Sequence, residues 1–112
     1  MDARTPRRFR GTPHRTVLGH RVPLARGGRA RLLGLAFLDR EPAGTGLLIP
    51  RCASVHTFGM RFALDLYFLD REGALLAVRR RVPPRRVAWQ RGAAAVLELP
   101  ALEGGESAPP AT

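Results

Sequence analysis

The stretch "FALDLYFLD" (62–70) constrains this chain more than any other, because it sets a carboxylate, Asp65, inside a strongly apolar strand. A lone buried carboxylate costs several kcal/mol unless it is paired, so whatever fold forms must bring Asp65 a partner. Arg61, His56 and the backbone N–H groups of a turn are the candidates. The strand is followed by a turn, "REGA" (71–74), and a returning strand, "LLAVRRRV" (75–82), which Pro83-Pro84 then breaks.

The same rhythm of short strands and turn signals runs through the rest of the chain. "TVLGHRVPL" (16–24), "GLLIP" (46–50), "CASVHTF" (52–58), "RRVAW" (85–89) and "AAAVLEL" (93–99) read as strands. In "GGRARLLGLAFLD" (27–39), Leu32, Leu35, Ala36 and Asp39 fall at helical spacing and Leu33 and Phe37 widen the stripe, which predicts one amphipathic helix. Pro42 forbids its continuation past Glu41. The expected fold class is α+β and mostly β: a small curled or partly closed antiparallel sheet with one amphipathic helix near the N-terminus. The pentapeptide "FLDRE" occurs at 37–41 and again at 68–72, but its flanks differ, so no internal repeat is inferred.

With 112 residues there is material for one domain and one modest core. The expected organisation is a disordered basic arm over 1–14, a single compact domain over 15–102 and a disordered tail over 103–112. No apolar run approaches the ~18 residues of a membrane span. The basic start has no apolar segment behind it, so a cytoplasmic protein is expected.

The formal charge of +10 raises nucleic acid as a partner. All 19 basic residues are arginine, with no lysine or asparagine and a single isoleucine, a bias that a GC-rich genome would impose. Residues 1–31 hold nine arginines against Asp2, giving +8, whereas 32–112 hold ten against eight carboxylates, giving +2. "VRRRVPPRRV" (78–87) gathers Arg79, Arg80, Arg81, Arg85 and Arg86, whose guanidinium forks suit an anion or phosphate, or which keep an edge strand from pairing with other strands. Only Trp89 lies near them as a stacking surface.

Chemistry concentrates in residues 52–65. On a strand, Cys52, Ser54, His56 and Phe58 share one face and Ala53, Val55 and Thr57 the other. Cys52 and His56 then stand ~13 Å apart at the α-carbons, too far to share a metal without a sharp bend. With one cysteine and three histidines no structural zinc and no cofactor is expected. Cys52 is most simply a small buried hydrophobe. His56 and Asp65 sit on neighbouring segments that a hairpin could bring together, either as an oriented base or as a mutually satisfied buried pair. Glu98, in "AVLELP", alternates away from Leu97 and Leu99 and is expected to face solvent.

"RARLLGLAFLDR", "LLIPRCASVHTFGMRFALDLYFLDREGALLAV", "VPPRRV" and "AAAVLEL" together resemble the domain of unknown function 192 family, from about Val17 to Leu99. The resemblance implies a compact, mostly β bacterial or archaeal domain with one helix near its start, and no enzymatic activity to carry over. Many members have Trp-Met-Lys-Asn-Thr where this chain has His56 to Met60, and proline at the position of Ala63, while Leu64-Asp65 is kept. A fixed His-Asp pair is therefore not implied. The expected function is a ligand-binding or interaction module for a small-molecule or protein partner. Its cleft is walled by 52–58 and 62–70, with His56, Asp65, Cys52 and Arg61 as polar groups. Nucleic-acid binding through the arm and the 79–86 arginines, and catalysis by His56 and Asp65, are the alternatives.

Overall fold

The structure, a computed structural model, describes residues 7–39 and 46–102. Among the described residues there are eight strands: β1 (His14–Val17), β2 (His20–Pro23), β3 (Leu47–Pro50), β4 (Ser54–His56), β5 (Leu64–Leu69), β6 (Leu75–Val82), β7 (Val87–Trp89) and β8 (Ala95–Pro100). The core is a four-stranded antiparallel sheet in the order β3-β8-β5-β6, beside two small two-stranded sheets, β1-β2 and β4-β7. The sheet is open, with β3 and β6 as its edges. All six residues of β5 are buried, because strands flank it on both sides and both faces of the sheet are covered.

Those two faces are distinct. Leu64, Leu66 and Phe68 of β5 and Val96 of β8 point to one, where Phe9, Leu35, Ala36 and Val55 pack on them. Tyr67, Leu69, Leu97 and Leu99 point to the other, covered by Val22 and Leu48 with Val17 and Leu18. The second cover is a hairpin: the expected strand over 16–24 folds back on itself at Leu18 and Gly19, both at positive φ. Two successive left-handed residues are what a tight two-residue hairpin turn requires.

The amphipathic helix expected over 27–39 does not form. The helix α1 spans only Gly28–Leu33, less than two turns, and Gly34 ends it at φ 54. Leu35 and Ala36 are buried, as helical spacing would ask, but they reach the core from the turns after Gly34. Of the arm expected over 1–14, residues 1–6 lie outside the described residues, while Arg7–Phe9 form a 3-10 turn that buries Phe9. The tail expected over 103–112 also lies outside them.

A cavity with a buried glutamic acid as the candidate functional site

Glu98 lies in β8 between Leu47 of β3 and Leu66 of β5. Alternation along β8 turns it to the face of Val96, away from Leu97 and Leu99. That face is covered, so Glu98 is 3% exposed and the expectation of a solvent-facing residue is overturned. Its carboxyl accepts a hydrogen bond from the Leu35 backbone, and burial pushes its pKa up to about 8. Oε1 has no hydrogen-bond partner among the described residues. Gly34 makes room for it: a Cβ there would stand 3.0 Å from Oε1.

Glu98 lines a cavity of about 360 Å³ together with Arg31, Cys52, Ser54 and His56, and with Ile49 and Val55 as apolar wall. β4 supplies Ser54 and His56, and its pairing with β7 fixes them opposite Trp89 and Val87. His56 Nδ1 accepts from the Phe58 backbone N–H at 3.2 Å, which places the ring proton on Nε2. Cys52 donates through Sγ to the Ser54 carbonyl at 2.9 Å. Arg31 is held by donating to the carbonyls of Pro50 and, at 3.1 Å, Arg51. The site thus combines a neutral carboxylic acid, an oriented imidazole and a guanidinium in a partly apolar hollow.

The structure gathers Cys52 and His56 here and leaves Asp65 and Arg61 elsewhere. Asp65 shares the face of Tyr67 and Leu69, across the sheet from Glu98, so His56 and Asp65 do not meet. The partner that burial demands is backbone: Asp65 Oδ1 accepts from the Arg81 N–H at 2.8 Å, at the irregularity where β6 slips against β5. Arg61 forms an exposed pair with Asp39 at 2.9 Å. Arg79, Arg80, Arg81 and Arg86 line a second, open groove of about 820 Å³ that also contains Trp89 and shares Val87 with the cavity, while Arg85 borders a neighbouring hollow with Gly59 and Pro84.

Thr57 escaped sequence reasoning. Fully buried, it donates through Oγ1 to the Pro83 carbonyl at 2.7 Å and accepts there from the Arg86 N–H at 2.7 Å. Its backbone N–H and C=O pair with Arg86 and Arg85. Among the described residues no three His, Cys, Asp or Glu side chains converge as a metal-ligand set, and no helix is long and apolar enough to cross a membrane.

Residues 10–104 match the family DUF192, described as "Uncharacterized ACR". No curated protein matches the chain. A crystal structure of a protein of unknown function from Novosphingobium aromaticivorans is similar, with 23% identity and a TM-score of 0.60 over 72% of this chain. This chain spans 63% of the length of that one, and the likeness extends to the fold alone.

Proposed function

The chain belongs to the DUF192 family, whose description names no activity, and from its cavity we propose that it is a binding module for a small molecule that presents an oxygen acceptor, a carbonyl or a carboxylate, beside a compact apolar group. The observation that carries this reading is Glu98, a residue of the cavity lining whose Oε1 is buried and has no hydrogen-bond partner among the described residues. A buried polar atom without a partner costs on the order of 1–3 kcal/mol, which a ligand hydrogen bond relieves. With its pKa near 8, Glu98 is chiefly a neutral acid at pH 7 and therefore a donor. Arg31 adds positive charge to the wall, which favours a carboxylate and opposes an amine. A volume of about 360 Å³ accommodates a dozen or so water-sized groups at ~30 Å³ each, at the small end of ligand sites.

The test is calorimetric titration of the full chain with short-chain carboxylates, amides and ketones, repeated across pH. Binding should weaken as pH rises past about 8, where Glu98 loses its proton. Glu98→Gln keeps a donor and should bind without that pH dependence; Glu98→Ala should bind weakly at every pH. His56→Ala should weaken binding while the fold survives, and an unfolded variant would make His56 structural. A wild-type pH profile retained in Glu98→Gln would refute the reading.

A further inference from the structure

A second surface carries chemistry that the cavity does not use. Between Val78 and Arg91 the chain has six arginines and no carboxylate. Five of them, Arg79, Arg80, Arg81, Arg86 and Arg91, line the open groove between β6 and β7. Arg79 bridges its walls, donating to Gln90 Oε1 at 3.0 Å with its guanidinium 5.5 Å from the Phe68 ring centroid. The contacts of Arg79 hold its cation in place before any ligand arrives. Arg80 borders the groove but carries its guanidinium to the opposite face of the sheet, 6.0 Å from the Tyr67 ring centroid. In the same groove Trp89 is 65% exposed, with Val87 beside it on the outward face of β7. An indole so exposed leaves most of its surface in solvent, and among arginines it offers a flat π surface to a polyanion.

We propose that the β6-β7 groove binds single-stranded nucleic acid, with a base stacked on Trp89 and phosphates on the flanking arginines. Charge selects a polyanion, since the groove wall has no carboxylate to repel or compete for phosphate. The exposed indole selects unpaired bases, because a base within a duplex has no free face to stack. The groove is open to solvent, which leaves room for an extended chain.

Trp89 is the only tryptophan, so its emission reports the groove alone, whatever the basic N-terminal residues do. The full chain is titrated with oligouridylate of about a dozen nucleotides, with inorganic polyphosphate as a polyanion lacking bases, and with anionic lipid vesicles. The expected result is saturable quenching by oligouridylate, with affinity falling on the order of tenfold or more between about 50 and 200 mM salt. Trp89→Ala, read by anisotropy of a labelled oligonucleotide, should bind roughly tenfold or more weakly, and Trp89→Phe should recover most of the loss. Arg86→Gln with Arg91→Gln should lower the salt slope by roughly two phosphate contacts. Oligouridylate that binds without quenching, or binds Trp89→Ala as well as wild type, overturns the proposal. So does polyphosphate binding of equal strength, or quenching by vesicles alone.

Discussion

Glu98 and Asp65 are both buried carboxyls on one sheet, and their surroundings separate their roles. Each accepts a backbone hydrogen bond and each has one oxygen without a partner among the described residues; Asp65 is held by Arg81 where β6 slips against β5, whereas Glu98 lines the cavity and burial raises its pKa. Its pKa rises from 4.5 to about 8, so between those values the folded chain holds a proton that the unfolded chain has released. That contribution to stability is complete below about pH 4.5, declines as pH rises to about 8 and is then exhausted, a change on the order of a few kcal/mol. Glu98→Gln has no such titration. Urea denaturation at about pH 5 and about pH 8 should show it gaining on wild type by a few kcal/mol at the higher pH; parallel profiles would mean Glu98 titrates normally. Asp65→Ala orphans the Arg81 N–H and should cost roughly 1–3 kcal/mol, while Asp65→Asn keeps the acceptor and should cost clearly less. Equal losses in the two variants would place the role of Asp65 in its charge. The need for a partner at Asp65 was legible in the sequence. The burial of Glu98 was not, because alternation tells which residues share a face and cannot tell that both faces are covered.

At the scale of elements, legibility followed how sharply a segment is bracketed. β6 forms over Leu75–Val82 as read, between "REGA" and Pro83-Pro84, since a turn and a double proline leave the pairing little freedom. The segment 27–39 has the apolar spacing of a helix, yet Gly34 sits within it at φ 54 and against Glu98, a demand of tertiary packing that periodicity does not contain. The turn after β6 is held from outside itself. Thr57 bonds Pro83 and Arg86 through one hydroxyl and Arg85 and Arg86 through its backbone, so a single buried side chain joins β4 to the start of β7. Thr57→Val keeps the shape and removes the hydroxyl, leaving the Arg86 N–H without its side-chain acceptor. It should cost roughly 1–3 kcal/mol in urea denaturation. It should also weaken ligand binding at the cavity, whose His56 is the neighbouring residue. Loss of stability with cavity binding untouched would show that β4 holds its place without this link.

The whole molecule is a rigid sheet with lighter covers on both faces. β5 and β8 are the inner strands, paired on both sides, and supply the largest share of the fully buried side chains, Tyr67 and Phe68 among them. The β1-β2 hairpin covers one face, and the β4-β7 pair, three residues in each strand, stands with α1 beside the other. Elements with few buried apolar groups open without unfolding the rest, whereas central strands open only with the whole. Amides of β5 and β8 should therefore exchange with solvent at the free energy of global unfolding, and those of β4-β7 at a lower one. The cavity joins these two regimes: Glu98 belongs to the rigid sheet, Ser54 and His56 to the looser pair. A ligand held between them must close that local opening. Native-state hydrogen exchange with a saturating short-chain carboxylate should slow β4-β7 toward the rate of β5 and leave β5 nearly unchanged in relative rank. Uniform slowing of every amide would instead indicate that the cavity walls already open as one unit with the sheet, and that binding stabilises the fold without tightening the site.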